Sequence, residues 1–465
     1  MINLKHISKC SSSLKKFDQE GSYPFITDTR RYNHPSVFVA IPGVKTNPLD
    51  VIENILNQQC PLVIYQMNPE NEEKVKKLSS KFTKTLFHSV SDSVLFLQEL
   101  THLHIKDWKQ KSQKNIVFAI SGSNGKTTHK EMLSFILNKI LPGKIVSTEK
   151  NNNNHLGVPL TLLNVTNNTE MVVLELGSNH PGEIKVLCDI ATPNAGLTTN
   201  IGATHLEFFG TEAKVFEEEG YLYHAVKDVT HGEGYFLINL DDPYLSKLAP
   251  TKGSLTYGES NQANARISFQ EKGASVESAQ QRLSVTNEHI TGRHNKLNLI
   301  TCAMIAAHFY PEHTSQIIRA AAEFRPTKNR SEWIEQQGKA IYLDAYNANP
   351  SSMMAALQGF KDSVIEKGHR LEEALIVLGD MNELGDSATE YHQNVGNYVK
   401  QLGFRNVIFI GRYASFYQKG FRQGLLKNSS TEFKHEYQKD FLPKYAIHFI
   451  KGSRSLQLES LFDIT

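Results

Sequence analysis

The segment from Ile116 to Leu141 constrains the fold of this chain more than any other. It reads as an apolar strand, IVFAIS (116–121), a short loop, Gly122-Ser123-Asn124-Gly125-Lys126-Thr127-Thr128, and an amphipathic helix containing EMLSFILNKIL (131–141). Glycines let successive backbone N–H groups converge on phosphate oxygens, a helix N-terminus adds positive potential, and Lys126 supplies a mobile ammonium. Thr127 is placed to offer its hydroxyl to a Mg²⁺ carried by the nucleotide. The strict GxxxxGK[ST] pattern fails, because Ile120 stands where its first glycine belongs. A bare GKT is ambiguous, and the strand–loop–helix setting tips the reading toward ATP, with Gly122 through Thr128 as its ligands.

A strand that feeds a helix through a tight loop belongs in a mainly parallel sheet covered on both faces. MVVLEL (171–176), AGLTTNI (195–201) and YFLIN (235–239) supply further strands, and HNKLNLITCAMIAAHF (294–309) reads as a helix. A polar, Lys-rich stretch, IKDWKQKSQKN (105–115), precedes the phosphate-loop strand, and a second break falls at PTKNRSEW (326–333). Beyond it AIYLDA (340–345), EALIVLG (373–379), NVIFIG (406–411) and AIHFIKG (446–452) look like buried parallel strands of a Rossmann-like domain, without a GxGxxG. VFVAI (37–41) and PLVIYQ (61–66) suggest a small N-terminal α/β domain. The expectation is an α/β protein of three domains, 1–108, 109–325 and 326–465.

With 50 Lys plus Arg against 48 Asp plus Glu, nothing favours nucleic-acid or membrane binding electrostatically. Cys10, Cys60, Cys188 and Cys302 form no CxxC pair, which argues against a disulfide framework or zinc site. The opening MINLKHISKCSSSLKKF lacks the apolar centre of a signal peptide, and no apolar run reaches membrane-spanning length. A monomer in the reducing cytoplasm is expected.

In an open α/β sheet, functional groups collect at the carboxyl ends of strands. Glu175 closes one strand and His205 follows another, so both are candidate ligands of a nucleotide-bound metal. Each reads equally as a solvated strand end or a surface histidine. Asn179 and His180 lie in a turn-rich loop, and Asn151 to Asn154 form a polar loop whose amides suit an amide-containing substrate. Farther on, Asp344, Asp380, Lys451 and Arg454 end strands, as groups handling phosphate and carboxylate charge would.

TDTR (27–30), GSNGKTT (122–128), NNNNHLGVPLTLL (151–163), ELGSNHPGEI (175–184) and NIGATHLEFFG (200–210) occur in that order. They are followed by HNKLN (294–298), NRSEW (329–333), DAYNANPSSM (344–353), VLGDMNELG (377–385) and KGSRSLQLE (451–459). Together these segments resemble the Mur ligases, ATP-dependent amide ligases, and YNANP with GDMNELG resembles the branch that adds D-alanyl-D-alanine. The resemblance implies an N-terminal domain for a UDP-sugar, a central ATPase and a C-terminal domain that closes on the site. It also implies a reaction in peptidoglycan precursor synthesis: the terminal carboxylate of UDP-N-acetylmuramoyl-tripeptide is phosphorylated by ATP, and the amine of D-alanyl-D-alanine displaces phosphate. By the same resemblance Lys126 neutralises the β/γ-phosphates, while Thr127, Glu175 and His205 hold Mg²⁺. Asn295 and Asn298 resemble adenine-side positions, and Arg330 and Asp344 resemble those at phosphate and ribose. Thr27, Arg30, Asn153, Asn154 and His180 would face the muramoyl-peptide, and Asn347, Asn349, Lys451 and Arg454 the incoming dipeptide.

Two departures stand out. Relatives carry a lysine, carbamylated to make a metal-binding carboxylate, nine residues after the glycine of HLExFG; here that position is Glu219, behind Glu217 and Glu218. A glutamate is ionised without carbon dioxide but reaches about 3–4 Å less far. Glu219 then either replaces the carbamate as metal ligand and catalytic group, or belongs to a solvated acidic helix face. Second, relatives continue with K-G-E-R-F-D-G/A-H where this chain has Pro42-Gly-Val-Lys-Thr-Asn-Pro-Leu49, which bears on recognition of the UDP carrier. The rival readings are a silent, muropeptide-binding paralogue, another amide ligase of the superfamily, and a generic P-loop NTPase.

Overall fold

The computed structural model describes residues 2–3, 22–43 and 46–462. Cys10, the opening segment beyond Asn3, and Val44 and Lys45 of the departing segment lie outside the described residues. Three main sheets follow one another along the chain. The central one has parallel strands in the order Ile145–Ser147, Met171–Glu175, Ile116–Ser121, Ala195–Thr198, Tyr235–Asn239, Ser254–Gly258 and Ala265–Gln270. Two antiparallel strands, Gly273–Glu277 and Arg282–Thr286, complete its far edge.

The phosphate-loop strand occupies the point where strand order reverses, the place where an open α/β sheet leaves a crevice. Ile120 pairs with Glu175 on one side and Leu197 on the other, so the loop, the Glu175 carboxylate and residues 199–202 emerge along one edge. Ile120 is itself fully buried, so the strand runs on through the missing glycine and the loop is correspondingly short. Helices Lys126–Ile140, Arg293–Phe309 and Thr314–Glu323 cover one face, burying Leu133, Leu137, Ala303 and Ile317.

Helix Ser93–Lys111 starts on Asp92, whose side chain accepts from Val94 and Leu95 N–H. Its first half packs Phe96, Leu97 and Leu100 on the N-terminal sheet of Phe25–Ile26, Val37–Ala40, Leu62–Gln66 and Leu86–Val90. Its second half sends Ile105 and Trp108 into the central core. The polar composition after residue 105 is therefore the solvent side of a continuous helix and no linker.

The C-terminal sheet runs Glu332–Gln336, Lys339–Asp344, Ile447–Lys451, Ala374–Gly379, Asn406–Ile410 and Leu425–Lys427, parallel except for the first strand. Cys60, Cys188 and Cys302 are free and buried, and no described helix is long and apolar enough to cross a membrane.

Two buried imidazoles give this domain an acid-sensitive core. Met381 N–H donates to His392 Nε2, leaving the ring proton on Nδ1 to face Ala388 O, and His448 packs beside the Tyr437 hydroxyl. Burial pushes both rings from an ordinary 6.5 down to about 4. Below pH 6.5 the unfolded chain takes up protons that the fold refuses, so this stability is complete above 6.5 and is lost as pH falls toward 4. A urea midpoint clearly lower at about pH 5 than at about pH 7.5 is expected, and His392→Asn should flatten that dependence.

Candidate active site at the phosphate loop

Residues 199–202 brace the loop from the neighbouring strand end. Ser123 N–H donates to Asn200 O, the Ser123 hydroxyl is paired with Gly202, and Asn124 N–H donates to Asn200 Oδ1. Gly122 has φ +121°, and a Cβ there would lie 2.2 Å from Thr199 Oγ1, so no other residue fits. Gly125, at φ +80°, caps helix Lys126–Ile140, and Thr127 and Thr128 follow, half-buried, in its first turn.

Lys126 folds its ammonium back onto Gly122 O and stands 3.7 Å from Glu219 Oε1. Glu219 is 1% exposed. Its Oε2 accepts Gly122 N–H at 2.7 Å and its Oε1 accepts the Ser178 hydroxyl at 3.3 Å. The solvated-face expectation for this residue gives way: the carboxylate is engaged by the loop backbone and stands as a counter-ion of Lys126. Nor is the acidic run a solvated face. Glu217 is exposed, whereas Glu218 accepts Gly182 and Ile184 N–H and caps helix Glu183–Ala191, its carboxyl pushed up by burial. Glu219→Ala strands the buried Gly122 N–H, and a loss of about 1–3 kcal/mol in thermal or urea unfolding is expected. Glu219→Gln keeps an acceptor for Gly122 and should recover most of it.

Glu175 is 3% exposed. Asn153 Nδ2 donates to its Oε1 at 2.8 Å, and its Oε2 is buried without a partner. A buried carboxyl oxygen left without a partner fits a cation site, and hard oxygen ligands suit Mg²⁺. His205 sits in the left-handed region, φ +49°, with Nδ1 2.5 Å from Glu383 Oε2. The His205 imidazole beside it holds the Glu383 carboxyl below its ordinary range. Among the described residues no three His, Cys, Asp or Glu side chains gather to hold a metal, so Glu175, His205 and Glu219 do not form a self-sufficient cage. Mg²⁺ commonly relies on one or two protein ligands plus substrate phosphates, which fits this arrangement.

Thr128, Asn295 and Arg330 meet around a shallow cleft with Met132, Ile290 and Phe324 on its walls. The Arg330 guanidinium lies 3.8 Å from the centre of the Tyr346 ring. Asn298 is buried beside Gly125, its Nδ2 3.5 Å from where a Cβ on that glycine would be. Thr128, Asn295, Asn298 and Arg330 of the nucleotide set thus lie beside the loop, whereas Asp344 is paired with Lys451.

The substrate set is more scattered. Asn153 faces Glu175, and exposed Asn154 accepts Leu156 and Gly157 N–H, closing a turn ahead of helix Gly157–Leu162. His180 is exposed against the Phe208 ring, 4.3 Å between centres. Thr27 is half-buried after strand Phe25–Ile26, and the exposed Arg30 pairs with Asp28, whose carboxyl it holds at about 2.

In the C-terminal domain Lys451 donates to Asp344 Oδ2 at 2.6 Å and to Asn347 O at 3.0 Å, with 3% of its side chain exposed. It is therefore paired within its own domain. Asn347 is exposed, and Arg454 pairs with Glu459 at the surface. Asn349 caps helix Pro350–Glu366 in a reciprocal box with Ser352, and its Nδ2 donates across the domain boundary to Asn124 Oδ1 at 2.7 Å. Asn124 Nδ2 in turn donates to Ser351 Oγ at 2.9 Å. Sequence reasoning missed Ser178, Asn200, Ser351 and Glu383; all four lay within quoted motifs, ELGSNHPGEI, NIGATHLEFFG, DAYNANPSSM and VLGDMNELG, and nothing in those motifs signalled which side chains would meet the loop or cross between domains.

A phosphate loop at a sheet's switch point, a buried carboxylate and an imidazole at the neighbouring strand ends, and a second α/β domain touching the loop define a nucleotide-dependent enzyme of the P-loop type. Residues 120–306 match the Mur ligase middle domain, and residues 329–437 match the Mur ligase glutamate ligase domain. Among curated proteins, UDP-N-acetylmuramoyl-tripeptide–D-alanyl-D-alanine ligase of Buchnera aphidicola subsp. Baizongia pistaciae is 31% identical over 77% of both chains. The Bacillus subtilis protein of the same name is 26% identical over 99% of this chain and 96% of its own. MurF from Acinetobacter baumannii superposes with a TM-score of 0.80 at 23% identity, covering 99% of this chain and 97% of that one. The Thermotoga maritima MurF ligase, solved in complex with ADP, gives 0.74 at 22% identity over 94% and 96% of the two chains. This chain belongs to the Mur ligase family.

Proposed function

We propose that the chain joins D-alanyl-D-alanine to UDP-N-acetylmuramoyl-tripeptide with hydrolysis of ATP to ADP and phosphate, in cytoplasmic peptidoglycan precursor synthesis. One observation carries the reading: the phosphate loop, the half-satisfied Glu175 and the C-terminal residues Asn349, Ser351 and Glu383 converge on one sheet edge. A pure NTPase needs no second domain against its phosphate loop; a ligase that must exclude water from an acyl phosphate does.

In this reading the tripeptide's terminal carboxylate oxygen attacks the γ-phosphorus and ADP leaves. The dipeptide amine then adds to the acyl carbon, loses a proton, and phosphate departs from the tetrahedral intermediate. A carboxylate is a poor electrophile and phosphate a good leaving group, so the protein's task is positioning and charge neutralisation. Lys126 moves from Glu219 onto the β/γ-phosphates, and loop N–H groups hold their oxygens. Asn295, Asn298, Arg330 and Asp344 fix the nucleoside side. Thr127, Glu175 and His205 would hold Mg²⁺, which supplies charge neutralisation at the phosphates. Residues 1–108, 109–325 and 326–465 serve as carrier, ATPase and closing domains. In the first of these, Gly43 N–H donates to Thr46 O and Asn47 caps helix Pro48–Asp50, and the departing segment supplies no Phe, Asp or His for the UDP carrier.

Phosphate release from ATP, measured with each acceptor alone and with both, tests this. Release that requires both substrates is expected. Release with neither would identify an NTPase instead, and nucleotide binding without turnover would identify a silent paralogue.

A further inference from the structure

Glu383 reaches this site on a loop that its own domain holds rigidly. Asp380 accepts Arg412 and Tyr413 N–H, Met381 N–H is bound by His392, and Asn382 donates from its backbone to Ser453 and from its side chain to Ser455. Across the boundary Glu207 N–H donates to Glu383 O at 3.2 Å, and Glu383 Oε2 lies 2.5 Å from His205 Nδ1. Both partners carry left-handed backbone, φ +64° at Glu383 and +49° at His205, a conformation that persists for non-glycine residues only when the surroundings enforce it. Gly385 makes the approach possible, since a Cβ there would come within 3.1 Å of Glu207 Cα.

We propose that Glu383 is a positioning residue for His205: its carboxylate, in contact with the Nδ1 edge, holds the imidazole ring in place and leaves Nε2 to meet the cation, and it does so only with the C-terminal domain closed. An imidazole that ligates a metal normally has its other nitrogen held by a carboxylate or carbonyl, which sets tautomer and orientation. Here that partner belongs to the other domain, so the ligand geometry is completed by closure and is absent from the open molecule. The inference rests on the ligase reading of the site, and its test does not depend on ligation alone.

The test follows Mn²⁺ binding in the presence of ADP, from the electron paramagnetic resonance signal of the free ion, beside steady-state ligation. Wild type, Glu383→Ala, Glu383→Gln, His205→Ala and the double alanine variant are compared. Glu383→Ala is expected to weaken Mn²⁺ binding and lower kcat, each roughly 10- to 100-fold, with KM for ATP near wild type. Glu383→Gln, which keeps the side chain's shape and a polar oxygen beside Nδ1, should regain part of both, and the double variant should lose no more than His205→Ala. Unchanged Mn²⁺ affinity in Glu383→Ala, or losses that multiply in the double variant, would overturn the proposal. A wild type that ligates nothing would instead remove the assigned activity, and the Mn²⁺ titration would still decide the role of Glu383.

Discussion

Lys126→Met is expected to cut acceptor-dependent phosphate release roughly 10²- to 10³-fold, because it removes a preorganised positive charge from the oxygens on which charge is redistributed. Among the described residues the ammonium meets Gly122 O and the Glu219 carboxylate, and neither is a lasting claim once a triphosphate arrives. The substitution also leaves Glu219 buried without its counter-ion, so part of the loss could come from a disturbed loop. The double variant Lys126→Met/Glu219→Gln separates these effects. Neutralising both partners should restore the thermal midpoint toward wild type while turnover stays low. Turnover of the single variant within about tenfold of wild type would sink the assigned role of Lys126.

Lys451→Met should have the largest effect on stability, about 3–5 kcal/mol in urea unfolding. Lys451 and Asp344 end adjacent parallel strands in register, and their side chains are 3% and 15% exposed. Methionine replaces the stem but leaves the Asp344 carboxylate largely dehydrated with no cation, and the Asn347 carbonyl loses its donor. A charge without a partner is what makes breaking such a pair costly, more than the worth of the pair itself. Asp344→Asn/Lys451→Met is therefore expected to regain much of the loss. Equal destabilisation in both variants would count against this account.

The parallel strands were legible because they are buried on both faces and read as unbroken apolar runs: IVFAIS, MVVLE and YFLIN begin or end within a residue of the observed strands. The strands at the far edge of the central sheet were not. ARISFQ and RLSVT alternate buried and exposed residues, with Arg, Ser and Gln on the solvent side, so no apolar run marks them. The family itself was legible from ordered motifs, and the phosphate loop from its setting between strand and helix. Individual roles were harder to read, because one side-chain chemistry serves two purposes. The amides of Asn154 and Asn349 suit a peptide substrate, and they suit equally the free N–H groups of a turn and a helix start. Lys451 looked like a free cation because the register that places Asp344 beside it exists only after folding. Contacts between domains, such as Glu383 with His205, have no local sequence signature at all.

Helix Ser93–Lys111 has a mechanical consequence. Gln98 donates to His155 O, Trp108 to Thr169 O and Lys109 to Thr192 O, while Phe96, Leu97 and Leu100 are locked into the N-terminal sheet. Bending this rod would tear open two apolar cores together, so the first two domains travel as a single stiff arm. The C-terminal domain meets that arm through polar pairs, through Trp333 Nε1 on the Thr291 hydroxyl, and through packing of Tyr391 and Gly359 against the central domain. A rod of this kind would keep whatever the first two domains grip at a fixed distance from the phosphate loop while the C-terminal domain closes.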